Sequence, residues 1–457
     1  MTTGLHPARS GSGGGSKATA AFGPVLVALA FILFAYVFFR ARSSADFMAL
    51  WLAGESLAAG APDLIYPSDT SYFSMLPPAE WITRLQARNY DGEVFPFIYP
   101  PIWAWLAAKA SGVMRYETLL AVATTLNPFL IVATVSLAWR IATPAMSLTL
   151  YLAIALVFLP LSSIGAYALF QNQPQILVAF LTLLAIERAE HGRPNQAGAA
   201  LALAAAIKHY PALYAILWLA AAQRRAASSF AVFGAVLGGL SIALAGWPLH
   251  VQFLHVIGTV ADTALLTPLS VTWESLLAQL FHFDQMITIG APVLDPAFQY
   301  GYWMVLPKPA GLSLFLRISM LLALATLGWL FHRAKRREAR ADLWPFAFTL
   351  LTLLGPIGWS YYYLAAAAFI PMLAVRLKMR RGLALITLLT LGLSPFIPTL
   401  LGVEIPMSAH SVRLVQAIGT LTMTAMAVIF FVIRRRGTCQ GLPSQNGALA
   451  TPASPQA

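Results

Sequence analysis

Asp46 lies a few residues beyond the first long apolar stretch, in Ser43-Ser44-Ala45-Asp46-Phe47-Met48. Only 17 of the 457 residues are acidic, so a carboxylate at that boundary stands out as a candidate general base. A positioned base that takes a hydroxyl proton contributes a factor of roughly 10²–10⁴ in rate. Lys208 is the second candidate, set between Ala204-Ala205-Ala206-Ile207 and His209-Tyr210-Pro211. A Lys in mid-bilayer costs about 2.5–3.5 kcal/mol on insertion scales, so it needs an anion or a wet cavity. A lipid phosphate is a suitable anion, with His209 assisting. The plainer alternative is a Lys at a helix break that snorkels to the interface. Gln171, Asn172, Gln173 and Gln175 form an amide patch beside an apolar stretch. Buried amides need partners, and either sugar hydroxyls or neighbouring helices can supply them. A base, a cation for a leaving phosphate and amides for a sugar are what removal of a sugar from a lipid phosphate requires.

Other residues could join them. Tyr99, Trp359 and Tyr361 are candidate sugar contacts, although a structural helix start for Tyr99 and an aromatic belt at the membrane interface for the others are the better readings. Glu274 is a candidate second acid or acceptor contact. Glu93 and Asp91 read mainly as solvated loop charges, with a second carboxylate as the alternative. His250 and His255 stand five apart, which fits no metal motif, and the lone Cys439 forms no intramolecular disulfide, so no metal is expected. No Gly-rich phosphate loop occurs, and no nucleotide or other cofactor is expected.

These residues must be held by membrane helices. Hydrophobic residues make up 59% and charged residues 10%, against roughly 25% charged in a soluble domain. The net charge of +12 comes from short basic runs flanking apolar segments, such as 332–337 and 434–436. That is a positive-inside pattern, not a nucleic-acid surface. The expected fold is an all-α polytopic membrane protein with about twelve spans, at 22–40, 98–114, 117–139, 145–161, 164–187, 196–222, 229–247, 313–331, 343–356, 357–376, 382–402 and 411–433. Residues 1–21 and 437–457 are expected to be disordered cytoplasmic ends of a single domain, 22–436. Two long stretches, 41–97 and 248–312, are expected on the outer face. The first should open with a helix lying along the membrane surface, capped by Ser43 or Ser44 and stopped near Gly60. The segment 196–222 reads as one span broken near Pro211 or as a hairpin of two short helices, and even parity favours the broken span. No internal repeat is visible, which weighs against a transporter or flippase of lipid-linked sugars. A polysaccharide polymerase or ligase would lean on outer Arg residues, and Arg84, Arg88 and Arg140 are scattered.

Several elements in order resemble glycosyltransferase family 87. They are Asp46…Trp51-x-x-Gly54…Leu57-x-x-Gly60…Leu64-x-Tyr66, then Phe97-x-Tyr99-Pro100-Pro101, then Phe170-Gln171-Asn172-Gln173-Pro174-Gln175. Gly198…Lys208-His209-Tyr210-Pro211 and Pro356-Ile357-Gly358-Trp359-Ser360-Tyr361-Tyr362 complete the set. The chain has Phe170 where the family has Gly, Gly355 where it has Ser, and Tyr361 where a His is common. The resemblance implies a GT-C-type fold in the plasma (inner) membrane. It also implies a polyprenyl-phosphate-linked sugar donor, often mannose, and transfer to a glycolipid or glycan acceptor on the periplasmic face. Asp46 would be the base.

Overall fold

A computed structural model describes residues 15–40, 44–67, 71–90, 92–290, 302–394 and 408–439. Ser43, Asp69, Asp91 and the outermost chain ends lie outside the described residues. The first part contains helices α1 (Gly15–Phe38), α2 (Ala45–Ala58), α3 (Ala79–Ala87), α4 (Pro101–Ser111) and α5 (Tyr116–Ala142). Next come α6 (Leu148–Leu161), α7 (Ser163–Phe170), α8 (Gln175–Glu190), α9 (Pro194–Ile207), α10 (Leu213–Ala220) and α11 (Arg224–Ala245). A mixed segment follows, with α12 (Trp247–Ala261), β1 (Thr263–Leu266), α13 (Trp273–Phe281), β2 (Ile287–Gly290) and β3 (Tyr302–Pro307). The rest is helical: α14 (Ala310–Arg333), α15 (Arg337–Ala341), α16 (Trp344–Leu354), α17 (Leu364–Ala367), α18 (Met372–Arg376), α19 (Met379–Gly392) and α20 (Ala409–Cys439).

Among the described residues, four helices are long and apolar enough to cross a membrane, namely α5, α11, α14 and α20. A fifth is added if α6 and α7, bent by 72° at their junction, are taken as one span. Most of the other expected spans are short or interrupted. Breaks fall at Gln171–Pro174, at Lys208–His209 and at Gly355–Trp359. Each combines Pro or Gly with polar side chains, which free backbone groups from the helix ladder. Non-helical backbone is tolerated at membrane depth where it is buried in protein or lines a cavity, and all three breaks line the same cavity. Outside, α1, α11 and α14 expose Leu29, Leu33, Val236, Leu240, Leu321 and Leu322. An apolar surface of that extent belongs against lipid.

Polar contacts at helix ends fix how the chain turns. Glu190, ending α8, accepts from Gln223 beyond α10 at 3.1 Å and pairs with Arg340 at 2.6 Å. Arg140 from α5 pairs with Glu187 at 2.5 Å, and Arg376 from α18 pairs with Asp342 at 2.7 Å. The ends of α5, α8, α10 and α18 therefore meet α15 at one charged end of the bundle. Because α9 starts at that end and α10 returns to it, α9 and α10 form a hairpin with Lys208 at its tip. This corrects the single broken span expected for 196–222. Buried Ala197, Ala200 and Ala204 let α9 pack closely. A Cβ added at Gly198 would lie 2.5 Å from the Phe230 backbone nitrogen on α11, the close approach that small residues permit between membrane helices.

The expected span 98–114 is also revised. α4 has 11 residues, about 16 Å at 1.5 Å per residue, and it packs along α2. A Cβ at Gly54 would sit 2.5 Å from the Ala107 carbonyl carbon. Consequently α2 is wrapped by protein, with Met48, Trp51 and Leu52 buried, instead of lying bare on the membrane surface. Its start and stop follow the sequence: Ser44 caps it by accepting from the Phe47 N–H at 3.4 Å, and Gly60 turns the chain with φ +73°.

The fold is not purely α. A three-stranded antiparallel sheet, in the order β1-β3-β2, is built within the 248–312 stretch. The Tyr-Trp-Met-Val-Leu run of β3 suits a pleated, half-buried surface. Leu265, Trp303 and Val305 from this sheet pack with Phe73, Met75 and Ile357, beneath the cavity.

Candidate active site

The site forms where α2 begins and the interrupted helices end. The α7–α8 turn grips the start of α2: the Ser44 hydroxyl donates to the Gln171 carbonyl at 2.5 Å, and the Ala45 N–H donates to the Gln171 side chain at 3.2 Å. This brings Gln173 to Asp46, whose carboxylate accepts from the Gln173 amide and from the Tyr99 hydroxyl, the latter at 3.4 Å. Asn172 adopts φ +48°. Its buried amide accepts from Asn127 and donates to Thr124 on α5, both at 3.0 Å. Asn172 thus fixes the turn and does not line the cavity, which corrects its expected sugar-binding role: both ends of its amide are already used.

Lys208 follows α9 with extended backbone. Its ammonium donates to the Tyr362 hydroxyl at 3.2 Å. It also lies 4.3, 5.4 and 5.6 Å from the ring centres of Tyr362, Tyr361 and Tyr99, within range of cation–π attraction. Tyr210 stacks on Tyr362 with centroids 5.6 Å apart and receives a 2.5 Å hydrogen bond from Gln175. Tyr361 stacks in turn on Trp359, at 6.1 Å. Tyr99 therefore touches both the acid and the cation, and the charge of Lys208 acts on Asp46. Burial raises the pKa of Asp46 above the ordinary aspartate value; Lys208, Tyr99 and Gln173 oppose that rise.

A cavity of about 560 Å³ opens between these groups. Asp46, Tyr99, Gln171, Gln173, Lys208, His209, Trp359 and Tyr361 line it. Trp359 and Tyr361 thus line a cavity, whereas an aromatic belt would place them against lipid headgroups. Two residues are promoted by the structure: Tyr362, which anchors the ammonium, and Glu93, which faces the cavity. Much of the remaining lining is apolar, with Phe73, Leu213, Ile257, Val260, Met320 and Leu351.

Glu274 is elsewhere. It is buried against Lys308 at 2.6 Å and accepts from the Ile357 N–H at 3.4 Å. Ile357 has φ +42°, a sparsely populated conformation for a β-branched residue that its surroundings must hold. Glu274 is not among the cavity-lining residues; with both oxygens engaged, it fastens the turn that carries Trp359. That corrects its expected contact with sugar or acceptor.

Residues 97–354 match the sequence pattern of glycosyltransferase family 87, more than half of the chain. The chain belongs to that family. No curated protein matches it. As a member of family 87 with several apolar helices, it is a multi-pass membrane glycosyltransferase. The matched stretch contains Tyr99, the amide turn and Lys208. Asp46 precedes it, and its place in this glycosyltransferase's cavity rests on the contacts with Gln173 and Tyr99.

Proposed function

We propose that this glycosyltransferase moves a sugar, with mannose favoured, from a polyprenyl-phosphate donor to a hydroxyl of a glycolipid or glycan, at the periplasmic face of the plasma (inner) membrane. The observation that carries this reading is the pairing of one carboxylate and one ammonium through Tyr99 in a cavity with an apolar wall. Asp46 accepts the acceptor hydroxyl's proton as its oxygen bonds to the anomeric carbon. The bond from that carbon to the donor phosphate oxygen breaks, and the electron pair leaves with the polyprenyl phosphate. Attack from the face opposite the phosphate inverts the anomeric centre. Lys208 neutralises the departing phosphate, the electrostatic help that positioned cations give to phosphoryl groups, with His209 beside it. Gln171, Gln173, Tyr99 and Trp359 supply hydrogen bonds and ring faces to the sugar. Tyr361, standing where a His is common, holds Lys208 with its ring. The apolar wall suits isoprenoid units.

Transfer of radiolabelled sugar from synthetic polyprenyl-phosphate donors to membrane glycolipids tests the reading. Label should move in the presence of the purified protein. If no polyprenyl-phosphate sugar is consumed under conditions where the protein is folded, the donor assignment is wrong.

A further inference from the structure

One carboxylate in the cavity has no part in the chemistry above. Glu93 lines the same cavity as Asp46, on an extended segment that runs beside α2, where the Phe95 N–H donates to the Ala45 carbonyl at 3.5 Å. Among the described residues it has no ion-pair partner, whereas Glu55, Glu187, Glu190 and Glu274 each have one. The basic side chains among the described lining residues are Lys208 and His209. Lys208 is held by Tyr362 and by the charge of Asp46. Glu93 acts instead on the Tyr167 phenol. The cavity therefore presents two carboxylate settings. One pairs an acid with a cation and suits a phosphate. The other is an uncompensated carboxylate beside a phenol.

We propose that Glu93 is an acceptor-binding residue that selects for an uncharged or cationic sugar and against an anionic one. This deepens the function proposed above and rests on it. A half-buried carboxylate accepts hydrogen bonds from vicinal hydroxyls without losing its charge, and charge-assisted bonds of this kind are roughly twice as strong as neutral ones. An anionic acceptor brought to the same place would set like charges together in a poorly solvated cavity. Burial already raises the pKa of Glu93, and a second carboxylate beside it would raise it further.

Equilibrium binding to the full-length protein in lipid nanodiscs tests this, with no donor present, so that the readout is independent of the transfer assay. The probes are hexyl glucoside, hexyl glucuronide and hexyl glucosaminide, which differ in charge on one ring. Wild type should bind the neutral and cationic glycosides at least about tenfold more tightly than the glucuronide. Glu93→Gln keeps an acceptor oxygen and removes the charge. It should weaken binding of the neutral glycoside by about three- to tenfold, as expected when a charged hydrogen bond becomes a neutral one, and narrow the discrimination against glucuronide to within about threefold. Glu93→Leu should lose binding of the neutral glycoside by about tenfold or more. Equal binding of neutral and anionic glycosides by wild type overturns the proposal. So does undiminished discrimination in Glu93→Gln, or failure of all three glycosides to bind.

Discussion

Replacing Asp46 by Asn removes one proton acceptor and leaves a side chain of the same shape. Asp46 accepts from Tyr99 at one oxygen and from Gln173 at the other. An Asn can still accept from Tyr99, but its amide nitrogen then faces the Gln173 nitrogen. The Gln173 amide can turn over, because its oxygen has no hydrogen-bond partner among the described residues, and the contact is restored. Helix α2 keeps its Ser44 cap and the Gln171 bond to the Ala45 N–H. What it loses is a carboxylate in its first turn, worth about 0.3–1 kcal/mol. Folding should survive. Loss of general base catalysis should lower kcat by roughly 10²–10⁴, about 2.7–5.4 kcal/mol at 1.36 kcal/mol per decade. Lys208 meanwhile loses its competing anion, so the KM for the lipid donor should stay level or fall. The assay is initial-rate transfer with the donor varied at saturating acceptor, alongside a thermal unfolding curve. A kcat within about tenfold of wild type, or a loss expressed in donor KM, would refute the assignment of Asp46 as the base.

The other expectations concern its neighbours. Because burial raises the pKa of Asp46 above 3.8 and the base must be ionised, kcat/KM should fall with decreasing pH through a midpoint above that value; in the Asn variant that limb should vanish from the residual rate. Lys208→Met removes the cation with little change of length. It should raise donor KM about 10- to 100-fold, in line with about 1.5–3 kcal/mol for a hydrogen bond to a charged group, and an unchanged donor affinity would exclude phosphate binding. Glu274→Ala strands the buried Lys308 charge, which costs about 3–5 kcal/mol when one partner of a buried pair is removed. Its unfolding temperature should drop sharply; Glu274→Gln, which can still accept from the Ile357 N–H, should lose less, and equal losses would show that the turn does not depend on that bond.

Much of the candidate cavity's polar lining was legible because such residues are unusual in so apolar a chain. An acid after an apolar helix, a Lys at the end of an alanine-rich one and a run of amides each violate the local composition. Their gathering follows from the interruptions they cause. Two kinds of information were missing. Hydropathy cannot distinguish α4, which packs on α2 through Gly54 and Ala107, from a membrane crossing, and that miscount tilted the parity argument against the α9–α10 hairpin. Nor does it report which of several amides faces a cavity: Asn172 and Gln173 are adjacent and similar, yet the positive φ of Asn172 turns it into α5 while Gln173 meets Asp46. The sheet does leave a trace, since Tyr302–Leu306 is a run of aromatic and large apolar residues that ends at Pro307, a strand signal. For Glu93 the sequence carries no distinguishing mark, because only packing beside α2 separates it from an ordinary loop acid.

The α9–α10 hairpin has a bearing on depth. α9 has 14 residues between the charged end and Lys208, a length of about 21 Å. Measured against a hydrocarbon core about 30 Å thick, with the charged end at one boundary, it would act as a ruler that holds the Lys208 backbone roughly two thirds of the way across. From that level the Lys208 side chain would extend the reach toward the far face, where the proposed function puts the lipid-linked phosphate. Adding or deleting one helical turn in both arms would shift that level by about 5.4 Å, so the helix length itself sets which depth of the bilayer the enzyme addresses.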